Sequence, residues 1–333
     1  MSIRNTHTAV KRRFSIKDLS GDIRRVSPCS EIVKGLSAKK KSIPSVYFYD
    51  KAGSSLFEEI TRLDEYYIPR TEKKLITEAA REMSGKRRKR DIIEIGSGDC
   101  SKISIILEAI PPADRPTVTY VPVDVSRSAI KDSAYKLLER FPSLRIAGVL
   151  ADFRTQLHRI TSSREKLFCF FGSTIGNLSG SEAVSCLREI RKAMRRGDAL
   201  LLGIDMVKPR EVLERAYNDS RGITAEFNRN ILKVSNRLAG TDFDPADFDH
   251  VAFYNSELGR IEMHLRACKR TKVSCPFAGE DITLKDGETI HTENSRKFTG
   301  PGVDELLEGA GLMRKRTYGD PDGWFSLIEV VRK

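Results

Sequence analysis

The sequence predicts an α/β fold: a parallel sheet covered on both faces, joined to a second α+β domain. Three observations carry that prediction. Between residues 91 and 205, short runs that are apolar throughout alternate with helical segments, as expected of strands buried on both faces and linked by crossover helices. The first of these runs ends in glycines that open a helix. After Val207 the alternation gives way to long helical segments and then to strands of period-two pattern.

Taken in order, residues 1–27 are polar, basic and aperiodic, and are expected to form a flexible tail. Residues 28–70 and 208–296 are expected to build the second domain, and residues 71–207 and 297–333 the first. A helix is predicted from Thr71 (TEKKLITEAAREM), ending in the basic loop Gly85 to Arg90. Strands are predicted at Asp91-Ile-Ile-Glu-Ile-Gly96, Thr117–Asp124, Leu144–Leu150, Leu167–Phe171 and Ala199–Asp205, with helices at Ser101–Ala109, Ser126–Phe141 and Gly180–Met194. Alternating strands follow at His250–Tyr254 and Arg260–Ala267. The tail reads as a hairpin, Leu312–Tyr318 and Phe325–Val331 around Gly-Asp-Pro-Asp-Gly, placed to close the sheet edge.

The chain has 333 residues, 39% hydrophobic and 31% charged, the composition of a globular protein. No run approaches the roughly 18 to 20 apolar residues that span a bilayer, and the first residues lack a signal peptide's apolar core, so neither a membrane nor secretion is expected. Six cysteines without a CxxC pair point to a reducing cytoplasm and no metal site. The net charge of +12 raises the question of nucleic acid. It is concentrated in Lys11-Arg12-Arg13, Lys39-Lys40-Lys41 and Gly85 to Arg90, without the interleaved aromatics of a stacking surface; these runs are read as solvated loops.

Glu94-Ile-Gly96-Ser97-Gly98-Asp-Cys-Ser101-Lys102 joins the first strand to a helix. Glycines there let backbone approach a ligand, and the helix start offers unsatisfied N–H groups. Dinucleotide sites share a GxG, but here Ser101 replaces the third glycine of their fingerprint and an acid precedes the loop, which favours S-adenosylmethionine. The second strand ends at Asp124, whose carboxylate suits a ribose diol. The third ends at Asp152-Phe153, suited to an adenine amino group and ring face, although Asp152 could equally cap the next helix.

Four longer motifs follow: Tyr47-Phe48-Tyr49-Asp50-Lys51-Ala52-Gly53-Ser54-Ser55-Leu56-Phe57, Glu65-Tyr66-Tyr67-Ile68-Pro69-Arg70-Thr71-Glu72, Phe171-Gly172-Ser173-Thr174-Ile175-Gly176-Asn177-Leu178 and Ala225-Glu226-Phe227-Asn228-Arg229-Asn230. With them the chain, from about Lys41 to its C-terminus, resembles the L-histidine Nα-methyltransferase family, which makes the betaine hercynine in the first step to ergothioneine. The resemblance implies a class I S-adenosylmethionine-dependent methyltransferase (Rossmann-like) domain and a substrate domain, with histidine held in the cleft between them. It implies cofactor contacts from Gly96, Ser97, Gly98, Lys102, Asp124, Asp152 and Phe153. Tyr66, Asn177 and Tyr217 match residues that hold the α-amino and carboxylate groups, with Gly172 beside them. Tyr49 and Phe57, with Tyr66, match aromatic residues beside the methylated nitrogen. Glu293 and Ser295 match the pair that grips the imidazole, and Met263 lines the same pocket. Two departures stand out: Ile68-Pro69-Arg70 where Pro-Thr-Arg is expected, and polar Asn294 where a small apolar residue is expected.

An in-line methyl displacement needs a neutral amine held near the methyl carbon, and aromatic faces tolerate the quaternary product. Glu293 as acceptor and Ser295 as donor match both nitrogens of one imidazole tautomer. The expected partner is a small molecule, L-histidine, bound by a monomer without nucleic acid. Methylation of another aromatic amino acid, a basic RNA methyltransferase, or a binding protein that has lost turnover stay open on the sequence.

Overall fold

The computed structural model describes residues 13–19, 21, 27–84, 90–279 and 281–333. The chain divides into two compact units. One is built from the N-terminal strand, Ile68–Met206 and Phe298–Lys333, the other from the residues up to Tyr67 that follow that strand, and Val207–Lys297.

The first unit is an eight-stranded sheet. Its strands are β1 (Phe14–Asp18), β2 (Arg90–Ile95), β3 (Thr119–Asp124), β4 (Arg145–Leu150), β5 (Glu165–Phe170), β6 (Ala199–Asp205), β12 (Leu312–Gly319) and β13 (Phe325–Arg332). They lie in the order β1-β4-β3-β2-β5-β6-β13-β12. The first six run parallel; β13 lies antiparallel to β6, and β12, antiparallel to β13, completes the hairpin on the edge. All of β6 and all but the first residue of β2 are buried, which is why these segments read as unbroken apolar runs. One core layer sets Ile93, Ile95, Phe168, Phe170, Leu200 and Leu202 against Leu187 and Ile190 of α7 (Gly180–Ala193) and Leu306 and Leu307 of α10 (Gly300–Gly309). Strand order reverses at β2, with β3 on one side and β5 on the other, and in such sheets ligands bind beyond the carboxyl ends of these strands. This is the class I S-adenosylmethionine-dependent methyltransferase (Rossmann-like) architecture. α10, between the last strand of the insertion and the hairpin, has no counterpart in the sequence reading.

The expected flexible tail is corrected over its last part. Phe14–Asp18 pairs in parallel with β4 as the outermost strand. The Phe14 ring meets Tyr135 edge-on at 6.0 Å, the Leu19 N–H donates to Leu150 O at 2.9 Å, and Leu19 is buried in the sheet's core. The short alternation Phe-Ser-Ile-Lys-Asp is enough for an edge strand once β4 supplies a partner, although its basic surroundings mask it in the sequence. Of the basic runs, Lys11, Arg12 and residues 85–89 lie outside the described residues. Arg90 is no loop residue: it begins β2 and pairs with Glu165 at 3.2 Å.

The second unit holds a three-stranded antiparallel sheet, in the order β11 (Thr289–Arg296), β8 (Arg260–Ala267), β7 (Phe248–Asn255), and a small hairpin of β9 (Thr271–Val273) and β10 (Ile282–Leu284). Its helices are α1 (Pro28–Leu36), α2 (Lys51–Ile60), α8 (Arg210–Tyr217) and α9 (Ile223–Ala239). α9 packs on α1, α2 and β7. No helix among the described residues is long and apolar enough to cross a membrane.

If β1 is part of the fold, Leu19→Ala removes buried core contacts. Urea denaturation should then show a loss of about 2 to 3 kcal/mol, the usual range for a buried leucine. An unchanged midpoint would mean that this strand adds nothing to the sheet.

Candidate active site

In the first unit, the cofactor-site candidates gather at the carboxyl ends of β2, β3, β4 and β5. Gly96 takes φ +77°, a conformation that side chains disfavour, and among the described residues nothing lies within 4 Å of where a Cβ on Gly96 or Gly98 would stand. The loop therefore leaves open space before bare backbone. Asp99 accepts from the Ser101 N–H at 3.0 Å and so starts α4 (Ser101–Ala109). Asp124 accepts from the Ser97 N–H at 3.1 Å and the Ser126 N–H at 2.8 Å. Burial raises its pKa, against the opposing pull of those hydrogen bonds. Glu94, hydrogen-bonded by the Tyr120 hydroxyl, is pushed up to about 7 by burial.

Asp152 is found as a helix cap. It accepts from the Arg154 N–H at 2.9 Å and pairs with the Arg154 guanidinium at 2.8 Å. Phe153 packs on Phe170 with ring centres 5.6 Å apart. The helix α7 is capped by Ser179, in a reciprocal box with Glu182. Asn177 instead ends a single 3₁₀ turn after β5, where Gly172 (φ +77°) and Ser173 (φ +54°) bend the chain and the Asp205 N–H donates to Ser173 Oγ at 2.9 Å.

Glu72 organises this end of the sheet, a role the sequence reading did not give it. Fully buried on α3 (Ile68–Ser84), it accepts from the Gly172 N–H at 2.7 Å and pairs with Lys102 Nζ at 2.7 Å. It ties the cofactor loop's helix to the turn bearing Asn177. Gly203 is bare because a Cβ there would come within 2.0 Å of Glu72 Oε1. The displaced Pro69 lies in the first turn of α3, where a missing N–H costs nothing.

In the second unit, the candidate substrate residues form two connected clusters. The aromatic one contains Tyr49, Phe57, Phe227 and Tyr66. Tyr49 meets Phe57 at 5.6 Å and Phe227 at 5.9 Å, Phe57 meets Tyr66 at 6.4 Å, and Tyr66 meets Tyr217 at 6.0 Å. Tyr49 is 47% exposed, so this cluster is not all core. The loop carrying it is pinned by Asp50, which caps α2 through the Gly53 N–H at 2.8 Å and accepts from Asn230 Nδ2 at 2.9 Å. A Cβ on Gly53 would strike Phe48 O at 1.7 Å, which accounts for that glycine in its motif.

The polar cluster is set by a β-bulge. His291 pairs with His264 but Glu293 pairs with Met263, so Thr292 is an extra residue on β11. Strand side chains alternate, and one extra residue exchanges the faces of all that follow. Beyond it Glu293 and Ser295 share the face of Met263 and Ile261, whereas Asn294 joins His291 on the other face and meets its Nε2 at 2.9 Å. The unexpected polarity of Asn294 is thereby accounted for. Thr292 is held by donating to Asn228 Oδ1 at 2.7 Å and lies 3.0 Å from Met263 O, and Asn228 also donates to His264 O at 2.9 Å. The Ala225–Asn230 motif thus supplies an aromatic ring, the bulge clamp and the Asp50 anchor from one helix.

Met263 is almost wholly buried, and Glu293 is pushed up to about 7 by burial, against the favourable charge of Lys297. The hydroxyl of Tyr217 donates to Ser295 Oγ at 2.8 Å. Tyr217, expected near the amino-acid end, therefore also meets Ser295 directly.

The sheet order with its glycine loop and strand-end aspartate defines a methyltransferase of the nucleoside-cofactor class. The sequence model of the family described as "Histidine-specific methyltransferase, SAM-dependent" matches residues 29–332. The chain belongs to that family. It is 37% identical over 302 residues to histidine N-alpha-methyltransferase of Mycolicibacterium smegmatis, covering 91% of this chain and 94% of that one. It is 39% identical over 298 residues to the protein of the same name from Mycobacterium tuberculosis, covering 89% and 92%. It is also 31% identical over 300 residues to ergothioneine biosynthesis protein 1 of Neurospora crassa, covering 85% of this chain and 32% of that longer one.

Glu293 makes stability pH-dependent. Unfolded it ionises near 4.5, folded near 7, so folding takes up a proton between those values, and its contribution falls as pH rises through that window. Between pH 5 and pH 8 the wild-type chain should lose on the order of 2 to 3 kcal/mol more than Glu293→Gln in chemical denaturation. Parallel pH profiles would contradict a Glu293 whose pKa burial raises.

Proposed function

We propose that this chain transfers three methyl groups in succession from S-adenosylmethionine to the α-amino nitrogen of L-histidine, giving hercynine, the first step of ergothioneine biosynthesis. One observation carries the choice of substrate: the bulged strand sets an acid, Glu293, and a hydroxyl, Ser295, beside Met263 on one face, within a chain of the histidine-specific family. A ring with one N–H and one acceptor nitrogen can give a hydrogen to Glu293 and take one from Ser295, a match that an apolar ring does not offer.

The first unit fits the cofactor. The open backbone at Gly96 and Gly98, with Ser97, approaches it, Asp124 takes the ribose hydroxyls, Asp152 and Phe153 take the adenine, and Lys102, steadied by Glu72, completes the set. When bound, S-adenosylmethionine supplies a methyl group activated on a sulfonium. The protein's part is to hold the amine in line and neutral. Tyr66, Tyr217 and Asn177, with Gly172 beside it, are assigned to the α-amino and carboxylate groups. No strong base is needed if desolvation lowers the amine's pKa, so that it binds without its proton. Tyr49, Phe57 and Tyr66 offer ring faces to the nitrogen as it fills with methyls, and a quaternary ammonium has no hydrogen left to donate. We further place the protein in the cytoplasm as a monomer acting on a small molecule rather than on nucleic acid. Support comes from its scattered free cysteines and from the small polar grip.

Incubation with S-adenosylmethionine and histidine should give mono-, di- and trimethylated α-nitrogen by mass spectrometry. Ring methylation, or activity confined to another amino acid or to RNA, would refute the reading. Glu293→Ala should raise the KM for histidine about ten- to a thousand-fold with little change in cofactor affinity. Asp124→Ala should weaken cofactor binding in calorimetry by about one to a few kcal/mol, and unchanged affinity would remove Asp124 as the ribose ligand.

A further inference from the structure

Lys297 follows the strand that carries Glu293 and Ser295, and the sequence reading gives it no role. It is 3% exposed. Its Nζ donates to Ser295 Oγ at 2.8 Å and to the Tyr217 hydroxyl at 3.1 Å, and sits 4.9 Å from the centre of the Tyr217 ring. The Tyr217 hydroxyl in turn donates to Ser295 Oγ.

These three groups differ in what they can do. A lysine ammonium only donates, whereas a serine or tyrosine hydroxyl has one hydrogen and two lone pairs. Ser295 Oγ accepts from the Tyr217 hydroxyl on one lone pair and from Lys297 on the other. With both lone pairs occupied, towards a further partner it can only donate. Without Lys297 one lone pair of Ser295 is open, and the hydroxyl could accept from a ring N–H as readily as donate to a bare ring nitrogen.

We propose that Lys297 is a positioning residue that holds Ser295 as an obligate donor and thereby selects the neutral imidazole tautomer with its bare nitrogen towards Ser295 and its N–H towards Glu293. The inference rests on the histidine reading above and adds how that ring is chosen. The positive charge of Lys297 also favours an ionised, accepting Glu293, and opposes a doubly protonated ring, which has no bare nitrogen to offer. Selectivity therefore depends on a group that need not touch the substrate.

The test measures binding by calorimetry in the presence of S-adenosylhomocysteine, with histidine and with 3-(pyrrol-2-yl)alanine, whose ring has an N–H but no acceptor nitrogen. The wild-type protein should prefer histidine by at least about 100-fold, because an obligate donor would be left unpaired against the pyrrole. Lys297→Met, similar in length but without a donor, should reduce that preference to below about tenfold, mostly through weaker histidine binding, with S-adenosylhomocysteine affinity unchanged. In a Ser295→Ala background, Lys297→Met should change the preference no further. A preference that survives Lys297→Met overturns the proposal. So does a wild-type protein that binds both amino acids equally well, a result that requires no variant to fold. Histidine bound tightly but never methylated would contradict the proposed reaction, while the binding comparison would still decide the role of Lys297.

Discussion

The second unit's chemistry depends on one irregularity, the extra residue Thr292 in β11. The clamp on it is modest in size: the Thr292 hydroxyl on Asn228, and Asn228 on the His264 carbonyl. Its consequence is large, because strand side chains alternate strictly and one inserted residue exchanges two faces. Before the bulge, Ile290 pairs with Leu265 and His291 with His264; after it, Glu293 pairs with Met263 and Ser295 with Ile261. A regular strand would put Glu293 and Ser295 on the face of His291, among Glu262, Arg260 and His264, where an acid and a hydroxyl would be satisfied locally. The bulge puts them on the face of Met263 and Ile261, where burial disfavours the charge of Glu293.

The first unit is organised in a comparable way around one buried carboxylate. Glu72 accepts from the backbone at Gly172 and pairs with Lys102, so the cofactor loop's helix and the turn bearing Asn177 share an anchor. Two segments far apart in sequence are thus held by one side chain, and close placement of groups is what such supports provide.

Legibility in the sequence followed physical range. The parallel core could be read because each buried strand is apolar along its own length, and the glycine loop because its turn needs glycine locally. The edge strand Phe14–Asp18 was missed because its partner lies more than 130 residues away and its own pattern is five residues long. Asp152 does cap its helix, as an acid at a strand end can. Family resemblance brought Glu293, Ser295 and Met263 together, but the bulge that aims them appears only in the pairing of β11 with β8. Asn228 and Glu72 stand inside motifs that the sequence shows, but what they do, like what Lys297 does, depends on partners that only the fold brings to them.

The central claim is that the bulge, by turning Glu293 and Ser295 to the Met263 face, makes this a site for histidine. Deleting Thr292 restores a regular strand, and calorimetry with histidine and with S-adenosylhomocysteine reads both units of the same protein. The account predicts that histidine affinity falls at least about 30-fold, the cost of losing both ring contacts at roughly 1 to 2 kcal/mol each, while S-adenosylhomocysteine binds as before. A deletion variant that binds both ligands like the wild type would contradict it.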